Sequence, residues 1–137
     1  MKRRKPIARS APLRKTRPKR VNKQRKAKNL LRAYGPPARR AWMRGQACLG
    51  CGLIGFSASA HIENDGKGRK AEACKTIPLC DMKYLWGGNQ GCHQKFDRYE
   101  RVNGFKRGES VPQRLAAETE SRWQSYCTAQ SPHGEAK

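Results

Sequence analysis

The amino-acid sequence predicts a small α+β domain preceded by a basic arm that does not fold by itself. Three observations carry this. Charge is concentrated at one end of the chain. Two short runs of strand character lie among paired cysteines. Runs of helical spacing, with caps and stops, flank them on both sides.

The charge comes first. Of the 31 Lys and Arg in 137 residues, 18 fall within residues 1 to 45, which contain no Asp or Glu; the first acid is Glu63. The remaining 13 basic side chains face 10 acids, so the net +21 of the chain is almost entirely a property of its first third. Residues 1 to 22 have little to bury, and Pro6, Pro12 and Pro18 interrupt any helix. This arm is expected to be disordered and to tether nucleic acid, because neutralising phosphates releases counterions. Arg14, Lys15, Arg17, Lys19 and Arg20 are its candidate phosphate contacts. A solubilising tail or a presequence is the alternative. The arm lacks the apolar core of a secretory signal, and its single Ser and regular prolines do not suit an amphipathic mitochondrial presequence. A soluble intracellular protein without a membrane span is expected.

Residues 23 to 45 read as a basic helical lead-in. Asn22 caps a helix that "GPP" at 35 to 37 stops, and a second short helix, "ARRAWMRG", follows with Trp42 as its anchor. The domain proper is placed at 46 to 127 and a flexible tail at 128 to 137. "CLGCG" at 48 to 52 is a Cys-x2-Cys knuckle. "FSASAHI" at 56 to 62 alternates as a strand, the polar stretch 63 to 73 is a loop, and "KTIPLC" at 75 to 80 is a second strand, with Pro78 marking an edge. A Gly-rich loop at 81 to 91 leads to a helix from Cys92 to about Val102, with Cys92, Phe96 and Tyr99 on one face. In the last helix Ser110 is the cap, Pro112 lies in the first turn and Gln113 completes an S-x-x-Q box. Leu115, Thr119, Trp123 and Tyr126 form its buried stripe.

Six cysteines without an export signal argue for metal rather than disulfides. Cys48 and Cys51 form one pair of thiolate ligands, and Cys80 and Cys92 a second pair across the hairpin. Four thiolates close a structural Zn2+ site, which can contribute on the order of 10–16 kcal/mol to folding. The long interval between Cys80 and Cys92 requires the connecting loop to double back. The alternative is that these two are ordinary buried thiols. Cys74 and Cys127 are left over and expected to be free, with Cys74 the substitute ligand.

Next to Cys92 stands His93, and Asp97 follows it at i, i+4. Neighbours on a helix point about 100° apart, so Cys92 serves the thiolate site while His93 and Asp97 share another face. That face is expected to look toward the strand carrying His61. A His/Asp pair can hold one divalent cation, Mg2+ or another, and an imidazole opposite it can activate water. Each feature has a plainer reading, as a structural histidine or a helix-surface hydrogen bond.

The order Cys-x2-Cys, Ala-His on a strand, a Gly/Lys/Arg loop, "TIPLC" and Cys-His-x3-Asp on a helix resembles the HNH endonucleases, of ββα-metal, treble-clef-like fold. It is most similar to small phage and prophage members, including Ref-like recombination-enhancement nucleases. "WMR" at 42 to 44, "GKGRK" at 66 to 70 and "TIPLC" at 76 to 80 carry the likeness, which covers residues 38 to about 102. The resemblance implies His61 as general base, His93 and Asp97 as ligands of the catalytic cation, and Cys48, Cys51, Cys80 and Cys92 as the structural zinc set. It departs at Ala60, where the family commonly has a ligand, and at Lys75, where Asn is frequent; Glu63, Asn64 or Asp65 would then complete the cation site. The function implied is metal-dependent cleavage of DNA during phage recombination or DNA processing in the bacterial cytoplasm. Arg69, Lys70 and the arm would grip phosphates, and a recombinase filament or other phage or host recombination protein would be the partner. A non-catalytic zinc-finger protein binding DNA or RNA, or a ribonucleoprotein component, would use the same arm and knuckle.

Overall fold

The computed structural model describes residues 22–64, 70–81 and 91–131. Its elements, in chain order, are α1 (Lys23–Tyr34), α2 (Pro37–Gly45), β1 (Ser57–His61), a 3-10 turn (Ala73–Lys75), β2 (Thr76–Cys80), α3 (Cys92–Asp97) and α4 (Ser110–Gln130). Strands β1 and β2 form a two-stranded antiparallel sheet, with Ser57 opposite Cys80 and His61 opposite Thr76. This is a small α+β architecture in which helices cover a hairpin. Among the described residues no helix is long and apolar enough to cross a membrane.

Helix α1 begins where its sequence signal lies. The Asn22 side chain accepts the Arg25 backbone N–H at 3.1 Å. At the other end the Gly35 N–H bonds the Leu31 carbonyl at 2.8 Å. Helix α2 is anchored by Met43, only 1% exposed, and by Arg39. Trp42, the expected anchor, is half-buried instead and meets Trp123 (ring centroids 5.4 Å apart) and Tyr126 (6.3 Å) on α4 at tilted angles. The Arg39 guanidinium pairs with Glu120 at 2.6 Å and donates to the Ala73 carbonyl at 2.9 Å. One buried cation thus ties α2 to α4 and to the 3-10 turn, with its charge paired as burial demands.

Ile77, Leu79, Ala60, Phe96, Val102, Phe105 and Ala116 make the core, joined by Cys48 and Cys80. Every residue of β2 is buried, because helices lie against it. Pro78, opposite Ser59, has no N–H to contribute but accepts the Leu49 N–H at its carbonyl, 3.0 Å away. The core is small, and two of its members are thiols.

Helix α3 is shorter than the sequence suggested. It ends at Asp97, and Tyr99 takes a positive φ of 60° and lies 60% exposed rather than on the buried face. The chain then folds into a tight turn at Asn103-Gly104 (φ 49° and 83°) that pairs Val102 with Phe105. Asn-Gly is the residue pair that such a left-handed turn favours, and the turn drives both apolar neighbours into the core, where Phe105 meets Phe96 edge-on at 6.0 Å.

Helix α4 starts one residue earlier in register than expected. Its N-cap is Glu109, not Ser110, and no side-chain cap or capping box forms. The Glu109 carboxylate instead accepts from the Lys106 N–H (3.1 Å) and Arg101 (3.0 Å) in the preceding turn. Pro112, Ala116 and Thr119 are buried and Leu115 half-buried, whereas Tyr126 is 41% exposed. The last turns of the helix, running to Gln130, extend past the boundary drawn at residue 127.

Candidate metal and catalytic site

The knuckle is closed by backbone bonds from the Cys48 N–H to the Leu53 carbonyl (2.9 Å) and from the Gly52 N–H to the Cys48 carbonyl (2.7 Å). Its tip is packed against α3. A Cβ at Gly50 would lie 2.3 Å from Val102 Cγ1 and 2.6 Å from Cys92 Sγ, so only glycine lets the turn approach the helix that carries the fourth cysteine.

The expected set of thiols converges. The Sγ atoms of Cys48, Cys51, Cys80 and Cys92 all lie within 4.8 Å of one another, and those of Cys51 and Cys80 are 3.6 Å apart. Ligand sulfurs on a tetrahedral zinc, at about 2.3 Å from the ion, are separated by about 3.8 Å. The four thiols can therefore hold a metal ion such as zinc. None of the six cysteines is in a disulfide, and Cys74 and Cys127 are exposed and outside the cluster.

Backbone donors surround these sulfurs. The N–H groups of Gly50 (3.3 Å) and Cys80 (3.2 Å) point at Cys48 Sγ, and that of Cys92 at Cys80 Sγ (3.3 Å). Burial acts to raise the pKa of Cys48, but hydrogen bonds from Cys80, Cys51 and Gly50 outweigh it and hold it below the ordinary 9.0. Burial, added to the neighbouring thiols, pushes Cys80 up to about 11 and raises Cys92 as well. Burial thus opposes the ionisation of Cys80 and Cys92, which a divalent cation among these sulfurs would favour.

One residue beyond Cys92 the chemistry changes. His93 is largely buried, and its ring lies between two carboxylates. Nε2 is 3.5 Å from Asp97 Oδ2, and Nδ1 is 3.6 Å from Asp81 Oδ2. Asp81 was not foreseen as a site residue. It follows β2 directly, is 9% exposed, and is steadied by Gln94, which donates to its Oδ1 at 2.9 Å. Ligand atoms bound to one cation at about 2.1 Å stand some 3–4 Å apart, so either carboxylate is spaced to share a cation with the imidazole.

Asp97 has a second neighbour. Arg107, 9% exposed, donates to Asp97 Oδ1 at 3.3 Å and to Asn64 Oδ1 at 2.7 Å. Asn64 is thereby engaged, and Glu63 pairs with Lys75. Ala60 is fully buried in the core, on the opposite face of β1 from its neighbour His61.

His61 is 4% exposed, and α1 covers it. Its Nε2 lies 2.8 Å from the Ala33 carbonyl oxygen, and the Tyr34 ring meets it edge-on at 5.1 Å. A carbonyl only accepts, so Nε2 carries the proton and Nδ1 the lone pair. Burial lowers the pKa of His61, partly opposed by the Ala33 bond and reinforced by Lys70, His93 and Arg107. The imidazole is held neutral, the state a general base requires.

A cleft of about 630 Å³ opens beside the sheet, lined by Asp81 and His93 and by Tyr34, Arg40, Arg44 and Lys70. Lys70 bonds the Tyr34 hydroxyl, and Arg32 donates to the Lys70 carbonyl at 2.9 Å. Arg69, Asp65 and the arm residues Arg14, Lys15, Arg17, Lys19 and Arg20 lie outside the described residues. No family model, curated protein or solved structure matches the chain.

Proposed function

We propose that the chain is a metal-dependent DNA endonuclease of the HNH type, with phage or prophage recombination or DNA processing as its setting. The observation that carries this reading is a neutral, carbonyl-oriented imidazole, His61, near a second imidazole, His93, that is flanked by carboxylates. Both are positioned by a hairpin and helix that the four-cysteine cluster joins.

In this reading His61 Nδ1 takes the proton of the attacking water, and the Ala33 carbonyl keeps the ring in the tautomer that can do so. His93 with Asp97 or Asp81 would hold a divalent cation, which supplies Lewis-acid stabilisation of the pentacovalent phosphate and of the leaving 3′ oxygen. Arg107 keeps Asp97 in place, and Lys70 offers a charge to an adjacent phosphate. Metal in the thiol cluster has a structural role, fixing the knuckle to β2 and α3.

A second reading has its own support. Ala60 brings no ligand, and Arg107 already pairs with one of the carboxylates. On that reading the chain binds nucleic acid without cutting it. Plasmid nicking with Mg2+ or Mn2+, comparing the wild type with His61→Ala, separates the two. Metal-dependent nicking lost in the variant supports the nuclease, and wild-type protein that binds DNA but never nicks it supports the binding module.

A further inference from the structure

A second cleft, of about 520 Å³, runs along α1 and is lined by Arg25, Lys26 and Arg32, and by Leu30, Tyr34 and Lys70. The last three also line the cleft that holds Asp81 and His93, whose remaining cations are Arg40 and Arg44. The two clefts therefore adjoin at those three residues, and together they make a trough-like surface. Six cations line it, and the single acid among its lining residues, Asp81, stands beside His93. Neither α1 nor α2 contains an Asp or Glu, and the first eight residues of α1 are all exposed. Six like charges held around one concave surface repel one another, and they are tolerated most readily when a polyanion neutralises them.

We infer that this trough is the path of one nucleic-acid strand, with α1 and α2 gripping the phosphates that lie to one side of His93. The inference rests on the nucleic-acid part of the proposed function and adds residues outside the arm and the loop. A sugar–phosphate backbone fits better than an acidic peptide. The trough presents an aromatic ring, Tyr34, and the half-exposed Leu30 between the cations, as surfaces for sugar or base. Geometry sets the register. The nine steps from Arg25 to Tyr34 rise about 14 Å along a helix. That is about four base-pair rises of 3.4 Å measured along a duplex axis, and fewer phosphates along an extended single strand. Arg25 and Lys26 thus meet the strand several nucleotides from His93, and residues 1 to 21 join α1 at that same distant end. α1, α2 and His93 lie along one track.

The test is the salt dependence of binding to a short duplex and to its separated strand, with His61→Ala protein, zinc retained and no other divalent cation, so that cleavage plays no part. The pairs Arg25→Gln/Lys26→Gln and Arg40→Gln/Arg44→Gln should each lower the slope of log K against log salt by about one to two, at 0.7–0.9 per phosphate lost. Arg114→Gln, on the exposed face of α4, should leave it unchanged, and Arg40→Lys/Arg44→Lys should keep the slope, showing that charge and not folding is read. A loss on both probes, or on one, supports the track and tells which form occupies it. If both Gln pairs behave like Arg114→Gln, the inference is overturned, whatever the nicking assay shows. If slopes fall but the wild type never nicks DNA, the track stands and the nuclease reading fails.

Discussion

The imidazole of His61 and the backbone carbonyl of Ala33, 28 residues earlier in the chain, lie 2.8 Å apart, so α1 sets the tautomer of the candidate base. His61→Ala should reduce metal-dependent cleavage by about 10²–10⁴-fold, the usual worth of a general base. Metal in the thiol cluster and DNA affinity should be unchanged, because the base acts on the chemical step. Retained cleavage in the variant would remove His61 from the mechanism.

The same residue predicts a pH dependence. Burial lowers its pKa from 6.5 in the folded state. As pH falls below about 6.5, the unfolded chain takes up a proton that the folded chain refuses, so stability is present above that pH and declines below it until the folded pKa is passed. Cleavage, which needs the neutral ring, should persist to lower pH than an exposed histidine allows. Denaturant unfolding and rates measured from pH 7.5 to 5 check both; His61→Gln should flatten the stability profile.

What could be read from sequence was what side-chain type encodes. Cys48, Cys51, Cys80 and Cys92 have the chemistry of metal ligands, and the strand runs anticipated their convergence. The cover over His61 was not legible, because the acceptor of its Nε2–H is a backbone carbonyl, which every residue has. Asp81 was passed over as the first residue of a loop, where an acid ordinarily means solvent. Arg107 reaches Asp97 from a segment beyond the helix, a contact that only the Asn103-Gly104 turn makes possible. That turn had a signal, the Asn-Gly pair, and the expected helix stopped just before it; the i, i+7 spacing of Cys92 and Tyr99 is what carried that helix past its actual end at Asp97.

Metal binding at the cysteine cluster should be stoichiometric, one ion per chain, and coupled to folding. Cys51→Ser should lose the metal and much of the structure, whereas Cys74→Ser and Cys127→Ser, both outside the cluster, should keep both. Because burial holds Cys80 and Cys92 protonated in the absence of metal, binding must release protons, so affinity should fall as pH falls. Metal analysis and a chelator titration followed by circular dichroism at several pH values would reveal a cluster that binds nothing.

Gly50→Ala should separate the knuckle from α3. The added methyl would collide with Val102 and with the Sγ and Cβ of Cys92. Overpacking of this kind costs about 1–3 kcal/mol, and here the strain falls directly on a candidate ligand. Metal affinity should drop together with thermal stability. Gly45→Ala, where nothing lies within 4 Å of the new atom, serves as the control. A Gly50 variant as stable and as metal-competent as this control would mean that the knuckle and α3 are not held at the spacing seen.

The two carboxylates on His93 should be separable by cation titration. Asp97 shares its charge with Arg107 and is half exposed, whereas Asp81 is almost buried and held by Gln94. If Asp97 and His93 hold the cation, Asp97→Ala should weaken cleavage at low Mg2+ or Mn2+ and recover as the cation is raised, since a ligand is lost but the base is not. Asp97→His should keep or raise activity, because it restores a ligand that Arg107 does not neutralise. Asp81→Asn, which keeps the shape and the Gln94 contact, should change the cation midpoint less if Asp81 only orients the ring, and more if it is the true ligand. Thiol-cluster metal content should stay constant in all three. Midpoints that do not move in any variant would place the cation elsewhere or show that none is needed.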